Sequence, residues 1–341
     1  MKYAITLTTL ILAPILQAEP WKHITEADGL PTMMVQFMER HGDDIWVGTL
    51  QGLAVFRGGR GFKVLAGKAT WDIQPLGKGR YWVGTMRGLM LLGGDRKQPG
   101  TDSAWKVGDL HPSFKGYSVG SLESLGEKSL LACAERRNAI ALIQYKDGDW
   151  KAISRFKRRS VSDLFKTRRG KVWAIIESDG IVAADPAKDS KEWAHHLKGR
   201  SVRSFCEDKE GRIWCGTFSK GIMELTDGKW KRHLPREESA ITTIKQDSKG
   251  HLWAATNANG LWQYDGGKWK NHLRDEGTIN FLESAGGSVY ISSQSAPPLR
   301  AWDGKKWQTI LDIPGQFRAV VLGPGGKLWA GNTITGLYVQ P

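Results

Sequence analysis

An eight-bladed β-propeller, all-β and made of four-stranded antiparallel blades, is the fold class this sequence predicts. Three observations predict it. The chain is rich in tryptophan, with 16 beside 41 glycines in 341 residues, and the tryptophans recur in two interleaved series. The first series ends segments of the form W-x-G-T: Asp44 to Thr49, Arg80 to Thr85 and Arg212 to Thr217, with looser copies around Trp173, Trp253 and Trp329. Leu131 and Tyr290 fill the same slot in two weaker copies, so the anchors run from 46 to 329 in seven intervals of roughly 40 residues, the length of a propeller blade. The second series (Trp105, Trp150, Trp193, Trp230, Trp269, Trp307, with Phe62 in the same slot) follows turns in counterphase, and Trp21 is its eighth member. Eight copies of about 40 residues account for essentially all of the chain after residue 18.

Each element follows from alternation and turn residues. In the fifth copy Val202 to Asp208 reads as strand A, Arg212 to Thr217 as strand B, Ile222 to Leu225 as strand C and Trp230 to Leu234 as strand D. Gly211, Gly221 and Asp227-Gly228 mark the connections, where positive φ is needed. The last copy supplies A (Phe317 to Leu322), B (Lys327 to Gly331) and C (Leu337 to Gln340) and then stops. The Trp21 segment is a strand D without a blade. It is expected to pair with the last blade and close the ring, which removes an open sheet edge. In this frame the W-x-G-T rings pack between blades, the glycine allows close backbone approach, and the D-strand tryptophans cover the outer edge. Trp262 and Trp302 fall in C strands and read as packing.

Composition removes several classes. At 40% apolar and 25% charged the chain is an ordinary globular protein. Three cysteines are too few for a disulfide scaffold. Residues 1–18 read as a secretory signal, with Lys2, an apolar run from Ile5 to Leu16 and Gln17-Ala18, which is too short to span a bilayer. Residues 19–341 then form one propeller domain, periplasmic or secreted, not membrane-spanning and monomeric. The formal charge of +14 points to an acidic partner. Export argues against nucleic acid and for an anionic glycan, a lipid head group or an acidic envelope protein. Cys206 and Cys215 lie nearly opposite across the fifth hairpin and could form a bridge; Cys133 is expected to be free and buried.

Gly29-Leu30-Pro31, Val35-x-Phe37, Asp44-x-Trp46-Val47-Gly48-Thr49 and Gly52-Leu53 resemble the two-component regulator propeller repeat. Glu207-Asp208-x-x-Gly211-Arg212-Ile213-Trp214 and Gln246-Asp247-x-x-Gly250-His251-Leu252-Trp253 match the same pattern, and the resemblance extends over essentially the whole chain after the signal. It implies a periplasmic sensory propeller, as in the large hybrid histidine kinases. This chain differs in its eight copies and in lacking a following β-sandwich, a membrane helix and a kinase. The implied role is therefore sensing through a separate partner.

The resemblance also implies that function sits on the face made by the D–A and B–C connections. The candidate ligand-binding residues there are Trp71, Arg87, Arg136, Arg137, Arg158, Arg159, Arg200, Arg203, Lys220, Asn257 and Arg318. Arginine supplies bidentate contacts to carboxylate, sulfate or phosphate, and Trp71 is a candidate stacking platform beside the strand-A anchor Ile73. Its equivalents are taken as Val35, Gly120, Ser162, Arg203, Thr242, Ile279 and Arg318, a mixed set that suits a channel mouth. The basic run 155–171 divides between faces, with Arg155 to Arg159 on the loop face and Arg168, Arg169 and Lys171 opposite. No nucleophile elbow, zincin motif or Cys-x-x-Cys occurs, and no cofactor or metal site is expected. The alternatives to recognition are a propeller lyase, virginiamycin-lyase-like or acting on polysaccharide with a metal-assisted site, and a scaffold in a cell-envelope complex.

Overall fold

The computed structural model describes residues 20–94, 105–110, 114–126, 129–136, 139–157, 161–185, 193–233, 240–294 and 299–341. Eight four-stranded antiparallel sheets form the eight blades. The fifth blade is A Val202–Glu207, B Ile213–Thr217, C Ile222–Thr226 and D Lys229–Arg232, within two residues of the sequence expectation at every boundary. Strand A of each blade lies nearest the axis, since neighbouring A strands contact one another at seven of the eight seams. The ring closes as expected. Lys22–Ile24 pairs with Gly336–Val339 in the register Lys22↔Val339, His23↔Tyr338, Ile24↔Leu337. Trp21 packs into the apolar cluster around Phe281, Leu299 and Phe317.

Each letter of W-x-G-T has its own physical task. The tryptophan is a wedge between blades. Trp46, Trp173, Trp214 and Trp253 are almost fully buried, each in a cluster shared with the next blade. The glycine lets the next blade's strand A close in. A Cβ on Gly84 would stand 2.8 Å from the Val119 carbonyl, and one on Gly216 would stand 2.5 Å from the Ile241 side chain. The threonine latches the B–C loop: Thr49, Thr85, Thr217 and Thr256 donate Oγ1 to the carbonyls of Gly52, Gly88, Gly221 and Gly260 at 2.8–3.0 Å.

The D-strand tryptophans do more than cover an edge. Trp150 stands edge-on to Trp82 of the preceding blade at 5.4 Å between centroids, Trp269 to Trp214 at 6.3 Å and Trp307 to Trp253 at 5.8 Å. A histidine at the end of strand D or one residue past it sits beside the wedge in three successive blades, with Trp173–His196 at 5.0 Å, Trp214–His233 at 4.7 Å and Trp253–His272 at 5.2 Å. Burial, helped by Lys171 and Lys270, pushes the His196 and His272 imidazoles below their ordinary pKa.

The Glu/Gln-Asp-x-x-Gly motif is also explained. Asp208 is completely buried and accepts from Glu210 N, Arg212 N, Arg212 Nε and Trp214 Nε1 at 2.6–3.1 Å. Asp247 accepts from Lys249 N, His251 N and Trp253 Nε1, each at 2.9 Å, and lies 3.0 Å from His251 Nδ1. One carboxylate thus ties the A–B turn to the wedge. Burial raises the Asp247 pKa, but the Trp253 and His251 bonds outweigh it and hold the carboxyl below its usual value.

The cysteines are free, and Cys133 and Cys215 are buried. The possible Cys206–Cys215 bridge is not formed. Cys215 pairs with Phe205 and Cys206 with Trp214, so the register is one residue off. Successive residues in a strand point to opposite faces, which sends the two thiols apart.

Two outcomes follow. Trp214→Ala should lower stability by roughly 3–5 kcal/mol, the usual loss for a buried large ring, read as a shift in the urea midpoint. Acid should loosen the seams in two stages. A depressed histidine pKa contributes stability above the unfolded value of about 6.5 that is lost as the pH falls. The depressed Asp247 pKa contributes stability above about 3.9 that is lost below it. The melting temperature should fall in both windows, and His272→Asn should flatten the first; an unchanged profile in that variant would refute the assignment.

Candidate functional site

All eight A strands carry the same irregularity. After the first A–B pair the register skips one residue in strand A, at Val35/Phe37, Thr70/Asp72, Val119/Ser121, Val161/Asp163, Val202/Ser204, Ile241/Thr243, Ile279/Phe281 and Phe317/Ala319. The extra residue of such a bulge is unpaired and free of the pleat. The bulge residues are Gln36, Trp71, Gly120, Ser162, Arg203, Thr242, Asn280 and Arg318, and each is half-buried or exposed. Two assignments of the sequence reading are thereby corrected. The counterparts of Trp71 are Gln36 and Asn280, not Val35 and Ile279, which are fully buried one residue earlier. The inserted residue shifts the register by one, and the alternation of apolar residues does not reveal it.

The sequence-selected residues fall as follows. Trp71, Arg203 and Arg318 occupy bulges at the channel end nearest the D–A loops. The Arg203 guanidinium lies over the Phe218 ring at 5.5 Å. Arg87, Lys220 and Asn257 stand on B–C loops of blades two, five and six, and Arg200 on the connection into blade five. Arg136 ends strand B of blade three with its guanidinium 5.7 Å from the centre of the Tyr117 ring. These eight side chains share one face. Arg137, Arg158 and Arg159 lie outside the described residues. Arg168, placed opposite by the sequence, does belong to that other face; there its backbone N–H bonds Glu207 at 2.8 Å and its guanidinium bonds the Asp208 carbonyl.

The sequence reading missed the apolar part of the loop face. The large apolar side chains that are exposed among the described residues are Met34, Leu50, Met86, Phe218 and Ile334, the last at 63%. All five lie on D–A or B–C connections. For Leu50, Met86 and Phe218 the geometry has one source. The residue after each W-x-G-T threonine donates its backbone N–H to the incoming D–A connection: Leu50 to Met34 O, Met86 to Ala69 O, Phe218 to Ser201 O and Asn257 to Ala240 O. Gln294 and Thr333 donate to Thr278 O and Gln316 O in the same way. The backbone is fixed at these positions while the side chain varies from leucine to asparagine. Reading one residue beyond each motif finds Leu50, Met86 and Phe218, whereas Ile334 lies one residue further and Met34 on the D–A connection that Leu50 bonds.

Below the bulges the A strands carry carboxylates. Asp72 Oδ2 accepts from Leu122 N of the next blade at 2.7 Å, and Glu123 Oε2 from Lys166 N of the next at 3.2 Å. Lys245 Nζ meets Glu283 at 3.1 Å. These bonds tie adjacent A strands that cannot pair as a sheet. Burial raises the Asp72 pKa well above the carboxylate range, with the neighbouring Glu39 carboxyl adding to it. Burial also raises Glu123, against the pull of Lys166. Asp163 is exposed by area, yet the protein around it still desolvates the carboxyl. Its carboxyl is pushed up to about 6 by burial, against a Leu164 backbone bond and Lys245. Among the described residues no group of three or more His, Cys, Asp or Glu side chains could hold a metal ion. The loop face is therefore basic and apolar at its rim, with carboxylates set deeper.

Comparison with known proteins adds the following. Residues 196–219 match the profile of the two component regulator propeller family, which bears out the resemblance read from the repeats. The extracellular domain of the hybrid two component system BT3049 from B. thetaiotaomicron is similar in fold, with TM-score 0.54 and 16% identity over 93% of this chain and 53% of that one. This chain thus spans about half of its length. YCF48 bound to D1 peptide is similar over 95% of this chain and 97% of that one, with TM-score 0.55 and 16% identity. A streptogramin B lyase is similar over 79% and 92%, with TM-score 0.54 and 14% identity. No curated protein matches. Among the described residues no helix is long and apolar enough to cross a membrane.

The raised Asp163 pKa has a testable consequence. Its protonated form is favoured in the fold, so its contribution is present below the unfolded value of about 3.9 and lost as the pH rises through about 6. Asp163→Asn should raise the melting temperature at pH 8 and leave it nearly unchanged at pH 4. Equal shifts at both would show that the carboxyl is solvated.

Proposed function

We propose that this protein is an exported recognition propeller that holds a protein partner on its D–A and B–C loop face, the partner presenting apolar and acidic side chains. One observation carries the reading: among the described residues the exposed large apolar side chains all lie on that face. They group as an arc on blades eight, one and two (Ile334, Met34, Leu50, Met86), with Phe218 across the ring. Clustered exposed apolar groups rimmed by polar ones mark protein interfaces, and flexible methionines adapt to a partner. Arg136, Arg200, Arg203 and Lys220 on blades three to five supply positive charge beside the arc, which complements acidic groups and steers association. A propeller of the same fold, YCF48, is bound to a peptide. The signal-like residues 1–18 support export of the domain 19–341. The two component regulator propeller match supports a place in sensing, with the signalling step on another polypeptide. An anionic glycan on the same arginines is the second reading, favoured by their ability to fork onto carboxylate or sulfate.

Selection from a displayed random-peptide library tests the proposal. Peptides combining apolar residues with Asp or Glu should be enriched. Their binding should weaken by at least about tenfold in Met86→Asp and in Arg203→Glu, as for interface anchors, with the melting temperature unchanged. Binding that neither variant affects refutes the assigned face. Capture on an acidic-glycan array that Arg203→Glu abolishes and Met86→Asp spares selects the second reading.

A further inference from the structure

The face opposite the loops carries a cleft of about 600 Å³ at the seam between blades six and seven. It is bounded by the A–B turns of both blades, strand D of blade six and the C–D turn of blade seven, and its walls include the indoles of Trp302 and Trp307. The neighbouring repeat explains why space opens here. In blade five, Arg212 reaches from Asp208 at 2.6 Å to Glu224 at 3.3 Å, and His233 closes on the same Glu224 at 2.5 Å. In blade six the residue at the Arg212 position is His251 and the one opposite the wedge is Gln263, as Trp214↔Glu224 and Trp253↔Gln263 show. His272 still meets Gln263 at 2.8 Å. The long guanidinium and the buried carboxylate are both gone, so the seam loses the ion pair that fills its counterpart, with no change in net charge.

What remains is positive. Lys249, Lys270, Lys305 and Lys306 line the cleft. Lys249 crosses the seam, since a Cβ on Gly304 of blade seven would lie 3.5 Å from its Nζ. None of the four ammonium groups forms an ion pair among the described residues. The two carboxylates in the lining are largely engaged elsewhere, and of the four lysines it is Lys306 whose charge acts on Asp303. Asp247 is occupied by its turn and by the Trp253 and His251 rings. Asp303 accepts from Lys305 N, Lys306 N and Gln308 Nε2 at 2.6–2.8 Å, and those bonds depress its pKa. Four ammonium groups drawn together from two blades face two carboxylates that are already hydrogen-bonded to their own turns, so they repel, and an anionic ligand reduces that cost.

We propose that this cleft is a binding site for an acidic oligosaccharide of two or three rings. The lysines would meet its carboxylates or sulfates. The two indoles supply apolar faces beside a lining that is otherwise almost wholly polar, which suits a hydroxylated ring. The site is separate from the loop face and does not depend on the partner proposed there.

Calorimetry on the full chain after residue 18 tests it, with trigalacturonate and a sulfated disaccharide as probes and maltotriose and inorganic sulfate as controls. At least one acidic saccharide should bind, and binding should weaken by about tenfold or more in Lys249→Glu/Lys305→Glu, two exposed positions whose change leaves the melting temperature in place. Added salt should weaken it as well. His251→Arg with Gln263→Glu, which copies the filled seam of blade five, should abolish it. Lys146→Glu, an exposed position at the C–D turn of blade three, should change nothing. No heat with either acidic probe overturns the proposal, as does equal binding of maltotriose or of sulfate alone. Binding that survives the lysine changes overturns the location.

Discussion

The whole molecule depends on the indole wedge at each seam. No blade can bury both of its faces alone, so each leans on its neighbour, and a tryptophan or its substitute on strand B fills the gap. The wedge fixes the angle between blades because the ring is rigid and the glycine two residues on brings the next strand A within contact. An aromatic from strand D of the following blade meets the wedge edge-on at several seams, and a turn carboxylate holds the Trp214 and Trp253 indoles by their N–H groups. The ring closes without strain only if the first and last segments share one sheet, as Lys22–Ile24 and Gly336–Val339 do.

This division of labour frees other positions. Backbone geometry repeats at every bulge and after every W-x-G-T threonine, yet the side chains there stand outside the packing between blades. They differ from blade to blade for that reason: Trp71, Arg203 and Arg318 in the inner ring, Leu50, Met86 and Phe218 in the outer. The opposite face obeys the same logic. Arg212 and Glu224 join in an ion pair in one blade, and the next, with His251 and Gln263 at those positions, has a cleft beside them. Variation on a fixed repeat is where this fold places recognition.

Charge is sorted as well. Arginines cluster on the loop rim, carboxylates with raised pKa values line the A strands beneath, and unpaired lysines gather at the seam between blades six and seven. A single net charge conceals three environments of different sign, so the positive total describes the exposed faces and not the interior.

The repeat period, the strand order within each blade, the count of eight and the closing strand were all determined by the sequence itself, because packing at a seam demands the same residue types every 40 positions. The face on which Arg87, Arg203 and Lys220 stand followed from strand order alone. Tertiary structure decided what periodicity does not encode. The bulge displaced the counterparts of Trp71 by one residue, since an inserted unpaired residue leaves the apolar alternation intact. The off-by-one pairing of Cys206 and Cys215 set their thiols on opposite faces. The apolar arc and the open seam arise from residues far apart in the chain, whose exposure depends on the neighbouring blade and not on their own repeat.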